Sequence, residues 1–417
     1  MTTSSNSQIT TLDAELLEEV LAALEVSPAP PGPGFLQALF SRFNARVPFE
    51  NATKLVRDAE VADPALKPRP PRVFWADHLA LGTGGTCFAR VAAFESLLSA
   101  LGFPCRTVLG RVRQDFDHSA LLVDTPSGTV IADVGFPLSI LLPAREGVFE
   151  AALHDLRVEE TARGWRVAYD GGVPEGAREL EVFAAPVSSE ELDARWRETF
   201  RPGSTFLSSL VMRIDRPERA LSFARGELRV DDRHTRLTVP LAPPRATALS
   251  EAFGVDQQVL ARALEITGEA AAGGPEPTMT AYLETTSGVD AAFEAIASAS
   301  GYRRLLEGLG RVEAVEPTPD GFRLVVHAAA PPSAGESPQI LETVRVRRAD
   351  RAVDIVREGA GSRATFALRA LQRDGRSWLL REAPVSVPAE ALLRNDSLRG
   401  RLAGTFAADL LGWARLV

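Results

Sequence analysis

The sequence has few cysteines and few lysines, and each shortage excludes a class of protein. Two cysteines, Cys87 and Cys105, in 417 residues exclude the disulfide framework of small secreted domains and indicate a reducing compartment. Lys54 and Lys67 are the only lysines, so arginine supplies almost all the positive charge, which we attribute to base composition. A formal net charge of −9 argues against a general nucleic-acid-binding protein.

Long apolar runs are also missing. No stretch approaches the roughly 18 apolar residues of a membrane-spanning helix, so we expect no membrane association. Residues 1–11 are rich in serine and threonine, lack the apolar centre of a signal peptide, and are predicted to form a flexible tail. The apolar content of 45% and the charged content of 24% are those of an ordinary folded protein, which we expect in the cytoplasm.

The histidines form no recognisable metal site. Four of the five have no metal-ligand spacing with one another or with the cysteines: His78, His154, His234 and His327. We therefore predict no metal and no bound cofactor. At 417 residues the chain is also too long for one typical core, so two or three domains are expected.

A predicted helix that starts at a cysteine is the feature on which our interpretation depends. Gly84 and Gly85 permit tight backbone conformations and close approach of a substrate, and Cys87 comes two residues after them. Apolar residues then recur at steps of three and four, which predicts an amphipathic helix: Phe88, Val91, Ala92, Leu97, Leu98 and Leu101. Because a helix start has unpaired N–H groups and partial positive charge, a thiol there ionises more easily.

A histidine and an aspartate follow in an order that nucleophilic catalysis could use. His118 precedes an apolar run, and Asp133 begins Asp133–Phe136. Short strands are predicted at residues 106–113, 119–124 and 129–133, with a hairpin turn at 125–128. Strand pairing can therefore bring His118 near Asp133, although spacing alone does not say whether they share a face. Cysteine, histidine and aspartate would then be nucleophile, base and base-orienting carboxylate.

Several segments, taken in order, resemble the arylamine N-acetyltransferase family. They are Val47–Asn51, Gly84–Phe88, His118 with its apolar run, Asp133–Phe136 and Pro202–Phe206. Each segment alone is weakly specific, whereas the ordered set, over about residues 10–268, is a strong signal. The resemblance implies a multidomain α+β fold with a cysteine-proteinase-like triad. It consists of a helical bundle at 12–103, a small antiparallel β-barrel at 104–187 and an α/β lid at 188–268.

The same resemblance implies an activity. Members transfer acyl groups from coenzyme A to arylamines or hydrazines by double displacement, and one branch forms macrolactam amides from carrier-bound polyketides. By resemblance, Cys87 is the acylated nucleophile, His118 the base and Asp133 its orienting partner. The donor would be acyl-CoA or an acyl-carrier phosphopantetheine, and the acceptor a small-molecule amine. Further positions are implied to contact substrate: Phe49, Gly135, Phe136, Pro137, Ser204, Thr205 and Phe206.

The sequence departs from the family pattern near the cysteine. Thr83 stands where the family has an arginine, Ala89 where it has a glutamate, and Val91 where it has an asparagine. Pro137 replaces a glycine. These positions surround the expected triad, so the substitutions put the usual substrates in doubt and are compatible with poor turnover.

The remainder of the chain has a different pattern. Residues 269–277 are rich in alanine, glycine and proline and are predicted to be a linker. Residues 278–417 resemble, by element order alone, the START-like or polyketide cyclase-like helix-grip family. The predicted order is a strand at 279–286, a helix at 289–309, strands between 311 and 387, and a long helix at 388–416. Such domains hold an apolar ligand between a curved sheet and the last helix.

Three functions are therefore considered. The leading hypothesis is an acyltransferase of specialised metabolism that forms an amide through a Cys87 thioester. The second is a cyclase or release enzyme for a carrier-bound polyketide or peptide, with a carrier protein as partner. The third is a non-catalytic protein that binds an apolar ligand, which the changes at Thr83, Ala89 and Val91 favour.

Overall fold

The protein is described here from a computed structural model, in which two compact units are present. The residues described are 12–136, 138–170, 179–241, 245–269, 278–306, 310–328, 339–359, 362–373 and 375–385. Unit 1 holds those up to 269 except 234–239, which belong to unit 2 together with those from 278 onward. Several predicted features lie outside the described residues: the tail at 1–11, Pro137, linker residues 270–277 and the helix at 388–416.

Unit 1 begins with helices. They are α1 (Ala14–Leu24), α2 (Pro33–Arg46), α3 (Ala52–Glu60), α4 (Pro71–Leu81) and α5 (Cys87–Ala100). The carboxylate of Asp13 accepts a hydrogen bond from the N–H of Leu16 (3.0 Å) and caps α1. Pro33 and Pro71 occupy the first helical positions of α2 and α4, where a missing N–H costs nothing.

Helix α5 begins at the predicted cysteine but is buried on every side. Arg90, Glu95 and Ser96 are buried along with its apolar residues. The helix packs against α4 and against the strands β2 (Cys105–Arg111) and β3 (Asp115–Thr125). The helix is present as predicted, but the prediction that only one of its faces is buried is wrong. Helix α5 lies between a helical layer and a sheet rather than on a surface.

The second part of unit 1 is a nearly closed antiparallel barrel. It adds strands β4 (Gly128–Ile131), β5 (Leu142–Pro143), β6 (Gly147–Phe149), β7 (Asp155–Thr161), β8 (Gly164–Asp170) and β9 (Glu179–Pro186). The strand order is β5-β4-β3-β2-β9-β8-β7-β6. Leu142 of the first edge strand shares an apolar core with Leu156 of β7, and Phe149 of the other edge packs against it. The sheet thus curls around its own core, in agreement with the predicted barrel.

The last part of unit 1 returns to the helical part. It contains α6 (Ser189–Glu198), β10 (Val211–Arg216), β11 (Arg219–Ala224), β12 (Glu227–Asp231), α7 (Arg245–Phe253) and α8 (Gln257–Thr267). Strands β10, β11 and β12 form an antiparallel meander. A two-residue strand, β1 (Phe49–Glu50), pairs antiparallel with β10, so that Phe49 lies opposite Arg213. This pairing brings the segment after α2 next to the meander.

The described part of unit 2 is an antiparallel sheet with two helices. Its elements are β13 (Thr235–Pro240), β14 (Thr278–Thr285), α9 (Val289–Ala297), α10 (Ala299–Leu306), β15 (Gly310–Thr318), β16 (Gly321–Ala328), β17 (Gln339–Arg347), β18 (Ala352–Gly359), β19 (Ser362–Arg373) and β20 (Arg376–Pro384). Their order in the sheet is β13-β14-β20-β19-β18-β17-β16-β15. The single predicted helix at 289–309 is divided at Ser298, whose extended backbone ends α9.

Membrane and metal features can be judged for the described residues alone. None of the helices described is long and apolar enough to cross a membrane. Within the same residues, no group of three or more histidine, cysteine, aspartate or glutamate side chains is arranged to hold a metal ion.

Candidate active site

Two segments singled out in the sequence lie side by side and fix the start of α5. The N–H of Gly85 donates to the carbonyl of Pro48 (3.4 Å), and the N–H of Glu50 donates to the carbonyl of Gly85 (3.1 Å). A Cβ on Gly84 would lie 1.7 Å from the carbonyl oxygen of Pro48, so only glycine fits there. The close backbone contact places Cys87, the first residue of α5, at a defined position in the wall of a cavity.

The structure brings Cys87, His118 and Asp133 together. Nε2 of His118 and Oδ2 of Asp133 are 2.7 Å apart, and the two side chains are 3% and 0% exposed. Cys87 lies near enough to the same imidazole to raise its pKa. A Cβ on Gly135 would lie 2.6 Å from Cβ of Cys87 and 3.1 Å from Cε1 of His118, which confirms how closely these residues pack. The imidazole therefore contacts the carboxylate, and Cys87 packs beside the same glycine as the imidazole.

The electrostatic setting of His118 differs from that of an ordinary buried histidine. Burial by itself would lower its pKa, because desolvation disfavours the imidazolium. The charge of Asp133, its hydrogen bond, and the interactions with Cys87 outweigh burial and raise the pKa to about 10. A protonated imidazole is thus stabilised between two groups that can carry negative charge.

The second cysteine provides a contrast within the same chain. Burial raises the pKa of the Cys105 thiol to about 11, and only a hydrogen bond with Ser99 opposes this effect. Oγ of Ser99 and Sγ of Cys105 are 3.6 Å apart. Cys105 is therefore a protonated, poorly nucleophilic thiol at neutral pH.

Asp133 also organises the turn that follows it. Its Oδ1 accepts hydrogen bonds from the N–H groups of Gly135 (2.8 Å) and Phe136 (2.9 Å), while Oδ2 faces His118. One carboxylate thus caps a turn and orients the imidazole. The turn presses Gly135 against Cys87, where no side chain fits.

A cavity of about 650 Å³ opens beside these residues. Cys87 and His118 line it together with all of the predicted substrate-contacting residues that the structure describes: Phe49, Gly135, Phe136, Ser204, Thr205 and Phe206. Phe49 packs edge-on against Phe206, with ring centroids 5.4 Å apart. Phe136 lies edge-on to His118, at 6.1 Å. Apolar rings therefore form the walls next to the thiol.

Asn51 explains how a remote loop reaches this cavity. Its Nδ2 donates to the carbonyls of Phe206 (2.9 Å) and Ser209 (2.8 Å), and its Oδ1 accepts from the N–H of Val211 (2.7 Å). A single buried amide thus holds the loop before β10 against the start of α3. The sequence identified Asn51 only as part of a motif, without this role.

Known proteins resemble this part of the chain. Residues 34–155 match a family model described as N-acetyltransferase. Arylamine N-acetyltransferases of Salmonella typhimurium and Escherichia coli are each 34% identical, over 109 and 108 residues. The matched segment is therefore similar to part of the arylamine N-acetyltransferases. Each match covers 24% of this chain and 36% of the relative, so the chain spans about a third of the length of these curated relatives.

Solved arylamine N-acetyltransferase structures extend the similarity to the fold. The Mycobacterium tuberculosis structure has a TM-score of 0.52 and 20% identity, covering 61% of this chain and 100% of its own. The Mycobacterium marinum structure in complex with CoA has a TM-score of 0.53 and 18% identity, with the same coverage. The Salmonella typhimurium structure has a TM-score of 0.53 and 21% identity, covering 61% and 99%. The chain therefore contains an arylamine N-acetyltransferase-like fold.

Arg69 lies next to Thr83, one of the positions at which the sequence departs from the arylamine N-acetyltransferase pattern. Nη1 of Arg69 contacts Oγ1 of Thr83 (3.3 Å), and Nη2 donates to the carbonyl of Gly84. Arg69 is 4% exposed, and its Nη2 is 3.9 Å from Glu50 Oε1. Gly85 packs tightly between these groups, since a Cβ on it would lie 2.8 Å from Cβ of Ala89 and 3.3 Å from Nη2 of Arg69. Arg69 therefore places a guanidinium beside Gly84, although Thr83 replaces the arginine of the family pattern.

Arg90 is a second site residue that the sequence analysis missed. Its Nε donates to the carbonyl of Val134 (2.6 Å), Nη2 donates to Oδ1 of Asn44 (2.9 Å), and Nη1 donates to the carbonyl of Val47. Burial lowers its pKa to about 10, partly offset by surrounding carboxylates. Arg90 therefore ties the turn after Asp133 to α5. The sequence could have indicated this residue, because a side chain three positions after Cys87 lies on the same side of the predicted helix.

Proposed function

We propose that this chain transfers an acyl group from a thioester donor to an amine, with Cys87 as the residue that carries the acyl group. The observation that supports this most directly is the 2.7 Å contact of buried His118 with Asp133, at a cavity that Cys87 and His118 both line. The similarity of residues 34–155 to N-acetyltransferases supports the same reaction class. Acyl-CoA is the proposed donor, consistent with the CoA complex of the Mycobacterium marinum structure.

In the first half-reaction, Cys87 gives its proton to His118 and attacks the donor carbonyl carbon as a thiolate. The bond between that carbon and the donor sulfur breaks, and the departing thiolate takes up the proton that His118 received from Cys87. The new bond makes Cys87 an acyl thioester. Asp133 keeps the imidazole oriented and stabilises its charged form, as its 2.7 Å contact requires.

In the second half-reaction, the amine nitrogen attacks the carbonyl carbon of acyl-Cys87. His118 accepts a proton from the nitrogen, the carbon–sulfur bond breaks, and the proton returns to the Cys87 sulfur. A thioester suits this step because an amine displaces a thiolate readily. The N-terminal end of α5 favours the negative charge that develops on sulfur and on the carbonyl oxygen.

Intact-mass measurement tests the proposal. Exposure to acetyl-CoA should add one acetyl group to the protein and to the Cys105→Ala variant, but none to Cys87→Ala. Cys105→Ala is the matched control, because it removes the other thiol and leaves the site intact. Absence of an adduct with every acyl-CoA and acyl-carrier donor, or an undiminished adduct in Cys87→Ala, would refute acyl transfer through Cys87.

The second candidate, supported by the altered motif positions, is amide synthesis from a carrier-bound polyketide or peptide. Thr83, Ala89 and Val91 change the surroundings of Cys87 relative to the family pattern. We propose a setting in specialised metabolism for either activity, with unit 2 as an apolar-ligand domain of helix-grip type. Activity toward tethered substrates but not toward simple arylamines and hydrazines would favour the second candidate, and efficient acetylation of simple arylamines would exclude it. A non-catalytic role requires that Cys87 alkylate no faster than a free thiol.

A further inference from the structure

One buried cation in the cavity, Lys54, forms no ion pair with any residue that the structure describes. Lys54 lies on α3, lines the cavity and is 6% exposed. Its Nζ makes one long hydrogen bond, to the carbonyl of Thr205 (3.4 Å), and lies over the ring of Phe200, 5.1 Å from the centroid. No carboxylate of the described residues is within ion-pairing distance of it. An ammonium group can donate three hydrogen bonds, so most of its capacity is unused.

The buried and half-buried arginines of the cavity have hydrogen-bond or ion-pair partners. Arg213 forms an ion pair with Asp215, with Nη2 and Oδ1 2.6 Å apart. Arg90 donates to three oxygen atoms of the protein. The half-exposed Arg195 pairs with Glu198 at 3.1 Å. Among these side chains, Lys54 alone is buried without an ion pair or a full set of acceptors.

Lys54 also lies close to the proposed nucleophile. Burial lowers its pKa to about 8, and the charges of Cys87 and Asp58 act in the opposite direction. Asp58 is already engaged by Lys67, at 2.6 Å. A buried amine without a counter-ion destabilises the fold, so its presence next to Cys87 is better explained by a group that arrives with substrate.

We propose that Lys54 receives the carboxylate of a substrate that reaches Cys87. The inference rests on the proposed acyl transfer and specifies its substrate class. The carboxylate could end the acyl chain of the donor, as in a dicarboxylic monothioester, or be carried by the aromatic amine. The phosphates of coenzyme A do not fit this role, since the pantetheine arm separates them from the reacting sulfur.

The donor and the acceptor are tested in separate half-reactions. In the donor arm, single-turnover acylation of Cys87 is compared for succinyl-CoA and butyryl-CoA, which differ in terminal charge. In the acceptor arm, acylated protein is mixed with 4-aminobenzoate or 4-aminobenzamide, and loss of the acyl group is followed by mass. We expect the wild type to favour the carboxylate at least about tenfold in one arm, as a buried charge pair would.

Two variants assign that preference. Lys54→Met should abolish the ratio between the charged and uncharged substrates, whereas Lys67→Met should retain it. Lys67→Met is the matched control, because it removes the other lysine of the chain, which does not line the cavity. Equal rates for both substrates in both arms of the wild type would overturn the inference. A preference that persists in Lys54→Met would overturn it as well.

A binding measurement keeps the inference separate from acyl transfer itself. Calorimetry of the Cys87→Ala protein with 4-aminobenzoate, 4-aminobenzamide, succinate and succinamide needs no turnover. Either carboxylate should bind more tightly than its amide, and this difference should be lost when Lys54→Met is added. That result supports Lys54 as the carboxylate-binding residue even where no donor acylates Cys87. Equal affinities within both pairs, together with normal acylation by acetyl-CoA, would contradict the role of Lys54 and leave the proposed function standing.

Discussion

Replacing Lys54 with methionine should stabilise the protein, and the gain should depend on pH. Burial lowers the pKa of Lys54 from its ordinary value of 10.5 to about 8. At about 1.4 kcal/mol for each tenfold change in proton affinity, a shift of this size corresponds to roughly 3 kcal/mol of destabilisation. The ring of Phe200 and the carbonyl of Thr205 return part of it, on the order of 1–2 kcal/mol. We therefore expect a net gain of about 1–2 kcal/mol at neutral pH.

The sign of the pH dependence follows from proton linkage. Below a pH of about 8, both the folded and the unfolded protein carry a charged Lys54, so the folded state bears the whole penalty. Between about 8 and 10.5, the unfolded state binds more protons than the folded state, so wild-type stability rises relative to the variant. The advantage of Lys54→Met should therefore shrink and disappear over this interval.

Urea unfolding at about pH 7 and about pH 10 measures the effect. A peptide-resolved hydrogen–deuterium pulse during unfolding separates unit 1, which contains Lys54, from unit 2. Lys67→Met carries the same charge change but breaks the ion pair with Asp58, and it should not stabilise the protein. A variant Lys54→Met that is less stable at neutral pH, or a difference that is flat with pH, would refute the reasoning.

Three further predictions concern residues of the candidate active site. Gly135→Ala should reduce acylation of Cys87 roughly a hundredfold with little change in circular dichroism, because its Cβ would fall 2.6 Å from Cβ of Cys87; activity within a few-fold of wild type would contradict the packing. Arg90→Leu should lower the free energy of unfolding by about 3–5 kcal/mol in urea, since it leaves three buried acceptors unpaired. Asp133→Asn should lower the pKa of His118, seen by NMR titration, because the charge that outweighs burial is lost. The stabilisation that the raised pKa of His118 gives the fold is present below about pH 6.5 and is lost as pH rises through about 10. The free energy of unfolding of Asp133→Asn should therefore differ most from that of the wild type at low pH. An unchanged titration of His118 would contradict its pairing with Asp133.

The sequence alone indicated the helix after Cys87, several barrel strands and the residues of the candidate site. Glycine at positions 84 and 85, a helix-forming pattern after Cys87, and strands separated by a turn between His118 and Asp133 are local features. Local conformational preferences are enough to predict such elements, so the start of α5 and the barrel strands were predicted in the right places.

Only the tertiary structure decided which side chains meet. The spacing of His118 and Asp133 could not show that their side chains face each other, because strand register and the turn after Asp133 set their directions. The partners of Arg69, Arg90 and Lys54 were equally invisible in the sequence. A guanidinium beside Thr83 comes from a different segment, and an ammonium beside Cys87 comes from a different helix. Such long-range contacts depend on how the elements pack and not on local sequence. Only the tertiary structure therefore shows which charged side chains line the cavity.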